Sequence, residues 1–357
     1  WHAAQETWQL VVRRFNDSPF ACLAWHQQWR QATSAEVGHR TARETDHNVH
    51  GPITRLVSAS GSQTPAGVAL QQRHRDLTET AGLLKAVPFC FQKDPLLEFH
   101  ELRGIAAHRP AQRQRLWQRL VRTTDDPLWQ TCAQAELALI DPLRGSPKPV
   151  LVVPRGTRPV LDGHLEDPVW QTAVTIRLDA PAACRVRMAY DDEHLYLAIR
   201  GDKWDGQDDG SLSAPRRRDA DLSDHDRVQL FLDVDRDYDT GWSLEIDHRG
   251  WGAERLMDDT GWNPTWYIAA AADELTWTVE AAIPLQELRV AGAATDSWGF
   301  GLRRRLPVSA EVAGCPSSAW PPALTADVDW TQLGLLTFGG ASDTPSPETT
   351  DEGHSFT

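Results

Sequence analysis

The chain has 357 residues, with 36 Lys+Arg against 50 Asp+Glu for a formal net charge of −14, and it contains 16 tryptophans and five cysteines. That length accommodates two domains with separate cores, and no apolar run is long enough for a membrane-spanning helix or the core of a secretory leader. The acid is concentrated beyond residue 150, whereas residues 1–150 are slightly basic. A nucleic-acid backbone is therefore an unfavourable partner for the C-terminal part, while cations and neutral ligands stay open.

In chain order, Trp8, Val11, Val12 and Phe15 fall at helical spacing, and Asp17-Ser18-Pro19 then supplies an N-cap with proline in the first turn of a second helix. The second helix carries Ala21, Leu23, Ala24 and Trp29. This hairpin, residues 1–39, resembles a tetratricopeptide-type repeat over about one 34-residue period, which implies protein partners for the helical region. Any two packed amphipathic helices give the same pattern. The chain opens on Trp1 rather than Met, so a further region upstream is expected.

Residues 40–77 are polar, with Gly51-Pro52 and Ser58-Ala59-Ser60-Gly61, and read as a linker. Helical pattern returns within 78–149, at Thr78–Ala86, Ala111–Arg122 and Asp126–Ile140, the last opening on Asp126-Pro127. Cys22, Cys90, Cys132, Cys184 and Cys315 lack metal-type spacing and read as small buried apolar residues, without a disulfide framework.

From Val150 the period changes from helical to alternating. Val186, Met188 and Tyr190 share one face of a strand, and Leu195, Leu197 and Ile199 share one face of the next, a hairpin through Asp191-Asp192-Glu193. Val228, Leu230 and Leu232 do the same in Asp226–Asp233, as do Leu244 and Ile246, and then Trp277, Val279, Ala281 and Ile283. Short strands with frequent turns predict a β-sandwich or jelly roll over residues 150–342. Residues 343–357 are rich in Pro, Thr, Asp and Glu and read as a disordered tail. The fold class is thus α+β in several domains, a helical N-terminal region followed by an antiparallel sandwich.

Five blocks carry a resemblance across the sandwich: Pro159-Val-Leu-Asp-Gly with Asp167-Pro-Val-Trp170; Tyr190-Asp-Asp-Glu-His-Leu-Tyr-Leu-Ala198; Asp226-Arg-Val-Gln-Leu-Phe-Leu-Asp233; Trp277-x-Val-Glu280-x-x-Ile283-Pro284; and Trp298-Gly-Phe-Gly-Leu-x-Arg304. In this order they resemble the family 9 carbohydrate-binding modules. The resemblance implies an antiparallel sandwich that binds polysaccharide or oligosaccharide without catalysis, often beside calcium, in extracellular, periplasmic or cell-envelope proteins. One position departs from the pattern, because the tryptophan that stands just before the third block in sugar-binding members is absent from Asp221-Leu-Ser-Asp-His225.

Flat aromatics stack on the C–H faces of sugars at little entropic cost, so loop tryptophans are the natural ligand candidates. Trp262 and Trp266, in Gly261-Trp-Asn-Pro-Thr-Trp-Tyr267, are either a sugar platform or core. Trp204 and Trp320 are further candidates, with Arg303 as a polar contact. Trp170, Trp277 and Trp298, inside the family blocks, are expected in the core. Asp233, Asp235, Asp237 and Asp239 alternate in one loop, which reads either as an oxygen cage for structural Ca2+ or as a solvated acidic turn. Glu280 is expected to be structural, while Arg304 is open between structure and ligand contact. No catalytic signature is present, neither G-x-S-x-G, H-E-x-x-H, a phosphate loop nor a dinucleotide fingerprint. The sequence therefore predicts a non-enzymatic carbohydrate-binding accessory module. The alternative is a protein-interaction scaffold whose sandwich no longer binds sugar.

Overall fold

The computed structural model describes residues 2–40, 94–178, 182–204, 220–288, 297–307, 318–324 and 327–339. The linker from 41 onward, the helix at Thr78–Ala86 and the acidic tail lie outside the described residues. Helices α1 (His2–Arg14) and α2 (Pro19–Thr33) form the hairpin, and α2 begins where the Ser18 hydroxyl accepts from the Ala21 amide at 3.1 Å. Trp25 and Trp29 are fully buried and stacked at 5.2 Å. Helix α3 (Pro95–His108) is absent from the sequence reading, although Asp94-Pro95 repeats the capping signature and Asp94 accepts from the Leu96 amide at 3.0 Å. Helices α4 (Arg113–Thr123) and α5 (Pro127–Ile140) match their expected spans, with Asp126 capping α5. Phe99, Trp117, Leu120 and Trp129 form their shared core.

Cys132 and Cys184 are buried thiols, in line with their reading as small apolar residues, whereas Cys22 is disulfide-bonded. Among the described residues, no helix is long and apolar enough to cross a membrane.

The C-terminal part is a two-sheet sandwich. One sheet runs β1 (Val150–Val153), β12 (Gly334–Phe338), β10 (Ser297–Arg305), β5 (Arg227–Asp233), β6 (Trp242–Asp247), β7 (Gly252–Leu256), with β11 (Ser318–Trp320) also on β10, making seven strands. The other has five, in the order β2 (Val174–Leu178), β3 (Cys184–Tyr190), β4 (His194–Asp202), β9 (Thr276–Pro284), β8 (Tyr267–Ala272). All ladders are antiparallel except β1 with β12.

The alternation in sequence selects the inner faces correctly. Val228, Leu230, Leu232, Leu244 and Ile246 of one sheet pack with Val186, Met188, Leu197, Ile199, Val279 and Ile283 of the other. Each such side chain contributes about 1.5–3 kcal/mol by leaving water. What alternation does not show is that the outer face of β5 is also covered, since all seven of its residues are buried.

Two charges anchor the sheets internally. Glu280 accepts the amides of Asp162 and Gly163, at 3.0 and 2.9 Å, and the Trp170 indole N–H at 2.8 Å, so it ties the segment before β2 to β9. Arg304 and Asp226, both fully buried, pair at 3.0 and 2.7 Å, and the Trp277 N–H donates to the same carboxylate at 3.0 Å. Removing one member of such a pair strands the other charge, whereas removing both does not. Arg304→Met is expected to lower stability in urea unfolding by about 3–5 kcal/mol, and Asp226→Leu/Arg304→Met to recover most of that loss. A single variant within about 1 kcal/mol of wild type would show that the pair is not a structural anchor.

Candidate functional site

The acidic loop after β5 is not a solvated turn. Asp233 and Asp237 are fully buried, and Asp235 and Asp239 are 8% and 7% exposed. The carboxylates first organise the loop itself. Asp233 accepts the amides of Asp237 and Tyr238, Asp235 accepts that of Asp237, and Asp237 accepts those of Asp239 and Thr240, all between 2.7 and 3.1 Å. These bonds hold Arg236 and Tyr238 at positive φ, 54° and 58°, a conformation that costs a non-glycine residue of order 1 kcal/mol or more.

The loop is then embraced by the helical region. Asp239 receives a two-pronged contact from Arg30, at 2.8 and 3.0 Å, and one from His26 at 2.8 Å. Asp235 pairs with Arg103 at 2.9 Å and accepts the Ala35 amide at 2.7 Å. Arg236 points the other way, to Glu136 at 2.8 Å. The Tyr238 ring enters the helical core against Phe99 at 5.3 Å, and its hydroxyl donates to Glu136 at 3.0 Å. His100 accepts the Trp29 indole N–H on Nδ1 at 3.0 Å, which leaves Nε2 to donate to the Asp237 carbonyl at 3.0 Å. Burial lowers His100 to about 4, so it is neutral in this bridge.

Glu36 completes the arrangement from the helical side. It accepts the Val234 amide at 2.7 Å and the Ser34 hydroxyl at 3.2 Å. Glu36, Asp233 and Asp235 present carboxylate oxygens within 4.8 Å of one another, all buried, and could hold a metal ion. This is a different set from the four alternating aspartates, because Asp237 and Asp239 are committed to the loop backbone, Thr240, His26 and Arg30. Burial and mutual repulsion raise Glu36 and Asp233 well above the usual carboxylate range and Asp237 to about 7. Burial alone would raise Asp239 too, but the hydrogen bonds from His26 and Arg30 outweigh it and hold that group low.

The aromatic candidates are distributed differently from a sugar platform. The connection from β7 to β8 passes from one sheet to the other, and Trp262 and Trp266 on it are 3% and 7% exposed, plugging the sandwich edge. Trp262 stacks on Trp242 at 4.0 Å, and the Trp266 N–H donates to Glu254. Neither presents an open face. Trp320 packs beside Phe300 at 5.5 Å, and Trp204, just after β4, is partly buried. Trp170, Trp277 and Trp298 are core residues.

Arg303 lies in a row that crosses three strands of the seven-stranded sheet on its outer face: Arg303 opposite Gln229, and Gln229 opposite Glu245. Arg303 donates to the Gln229 side-chain oxygen at 2.9 Å, Arg227 donates to Glu245 at 3.2 Å, and Arg255 approaches Glu245 at 3.5 Å. The next row is aromatic but closed, with Phe231, 3% exposed, under the Arg303 guanidinium at 5.2 Å and Trp330, 9% exposed, edge-on to Phe231 at 6.3 Å; Arg303, Gln229 and Glu245 are likewise nearly buried. Gln229 and Glu245 are missing from the sequence candidates. Their strand register with Arg303 is the signal that sequence alone does not supply.

No family model matches the chain, and no curated protein sequence matches it. Among solved structures, it is similar to a family 9 carbohydrate-binding module from Caldicellulosiruptor kristjanssonii in complex with cellotriose, at 16% identity and a TM-score of 0.39, covering 56% of this chain and 97% of that one. The same kind of module in complex with glucose gives 16% identity and a TM-score of 0.40, with 56% and 100% covered. A carbohydrate-binding candidate from Bacteroides uniformis gives 11% identity and 0.41, with 54% and 100% covered.

The raised carboxylates set a pH dependence. A group whose pKa is raised on folding contributes stability below its unfolded value, and that contribution is lost as pH rises toward the folded one. In chelator, wild type is therefore expected to lose stability relative to Glu36→Gln as pH rises above about 4.5, by up to about 1.4 kcal/mol per pH unit. Parallel pH profiles of the two proteins in urea unfolding would contradict this assignment.

Proposed function

We propose that the sandwich binds carbohydrate without catalysis, as an accessory or targeting module. The row Arg303–Gln229–Glu245 carries the proposal. Sugar hydroxyls are recognised by donors and acceptors fixed in one plane beside an aromatic surface. Here a guanidinium, an amide and a carboxylate stand on adjacent strands, flanked by Arg227 and the exposed Arg255, with Phe231 and Trp330 alongside; all but Arg255 are nearly buried, so ligand reaches the row only if the cover of this face opens. The hydrogen bonds among them hold the array before any ligand arrives, which reduces the ordering cost of binding. The disulfide at Cys22 supports an oxidising, extracellular or envelope setting.

The proposal includes a structural cation at Glu36, Asp233 and Asp235. Ca2+ suits irregular cages of oxygen ligands, and three carboxylates supply the charge it requires. The ion's contribution would be to stabilise the seam between helices and sandwich.

Calorimetric titration with cellotriose and xylotriose tests the binding reading. Heat is expected from wild type, with affinity reduced at least tenfold in Arg303→Ala and in Gln229→Ala. No heat from a folded wild-type protein would favour the interaction-scaffold alternative, and unchanged affinity in both variants would remove the row from the site. For the cation, the melting midpoint is expected to be several degrees higher in excess Ca2+ than in chelator, as follows from about 2.7 kcal/mol at a hundredfold excess over Kd. Identical midpoints in Ca2+ and in chelator would contradict the cation site.

A further inference from the structure

The outer face of the five-stranded sheet carries an open cleft of about 640 Å³, within the size range of small-ligand sites. It lies far in sequence from the Arg303 row and on the other sheet. Its floor and walls follow from strand register. Tyr267 on edge strand β8 stands opposite Ala282 on β9, and Ala282 stands opposite Tyr196 on β4. Tyr196 and Ala282 are nearly closed to solvent, at 1% and 4% exposed, so they form the floor of the cleft while Tyr267 supplies its open aromatic wall. Tyr267 is 52% exposed, an unusual position for a large aromatic on a sheet edge.

The polar groups at the mouth are already arranged. Arg158 donates to Glu193 at 3.0 Å and to His194 Nδ1 at 3.1 Å, so the His194 proton resides on Nε2. His194 stacks on Tyr196 at 5.7 Å and lies 6.3 Å from Tyr267. The Tyr196 hydroxyl donates to Asp191 at 2.5 Å, which fixes its ring in the floor. The acids at the rim do not form an unbalanced patch, since Asp192 pairs with Arg155 and Glu193 with Arg158. Balanced charge beside an aromatic wall favours a neutral, hydroxyl-rich ligand over a phosphate or a cation.

We propose that this cleft is a second carbohydrate site, which lodges one pyranose unit of a neutral glycan against the exposed ring of Tyr267, over the floor closed by Tyr196 and Ala282. The Arg158 guanidinium then donates to ring hydroxyls at the mouth. The ligand class rests on the carbohydrate reading above, but the site shares no residue with the Arg303 row. With one site on each sheet, a single chain can grip two glycan strands, and linked sites gain avidity without new contacts.

Cellotriose titration of wild type, Tyr267→Ala/Arg158→Ala, Ala282→Leu and Arg303→Ala tests this, with circular dichroism melts to confirm folding. Tyr267 and Arg158 are exposed, so their replacement leaves the core intact, and Ala282→Leu fills the floor without removing a polar group. The expected result is two binding events in wild type and one in every variant, with affinity for the cleft event reduced at least tenfold in the double variant and in Ala282→Leu. Wild-type binding that persists unchanged in both of those variants would overturn the cleft and leave the carbohydrate reading standing. Binding lost in them but intact in Arg303→Ala would support the cleft while rejecting the Arg303 row. No heat from folded wild type would overturn both.

Discussion

The structure depends on a short run of buried carboxylates. Asp233, Asp235, Asp237 and Asp239 leave water together, which is unfavourable unless every oxygen finds a partner. Their partners come from two sources, the loop's own amides and the helical region's His26, Arg30, Ala35 and Arg103. The loop and the helices therefore need each other. Without the helices the aspartates would repel, and without the aspartates the arginines would face the sandwich uncompensated. Tyr238 adds an apolar component, since its ring completes a core that includes Phe99, Trp117, Leu120 and Trp129.

This seam explains features that neither part requires alone. Arg236 and Tyr238 hold left-handed backbone because the aspartates cap the turn around them. His100 is neutral because burial disfavours its charged form, and Trp29 and the Asp237 carbonyl occupy its two nitrogens. Glu36, Asp233 and Asp235 bring three buried carboxylates together beside one arginine, Arg103, which is where a cation fits the chemistry. The recognition surfaces are held elsewhere. The Arg303 row and the Tyr196–Tyr267 cleft lie on the outer faces of the two sheets, the row covered and the cleft open.

Much of the sandwich was legible from alternation. Val228, Leu230 and Leu232, and likewise Val279, Ala281 and Ile283, face the core as their period of two dictates. The caps at Ser18 and Asp126 marked helix starts because proline follows each. Helix α3 carried the same mark at Asp94-Pro95, but its apolar residues surround the helix instead of forming a stripe, so no period stood out. The functional picture was less legible, for a physical reason. Aspartate spacing shows that a loop is acidic, not that arginines more than 130 residues away in sequence bury it. Tryptophans near glycine and proline read as loop platforms, yet Trp262 and Trp266 close the sheet edge where the chain crosses between layers. Gln229 and Glu245 gain meaning only when register sets them beside Arg303.

Differential scanning calorimetry of the intact chain tests the seam most directly. Because the helical core includes Tyr238 from the sandwich and the aspartate loop is neutralised from the helical side, both parts are expected to unfold in one cooperative transition, with calorimetric and van't Hoff enthalpies in agreement. Two separate transitions, one for the helices and one for a sandwich that remains folded without them, would contradict the account.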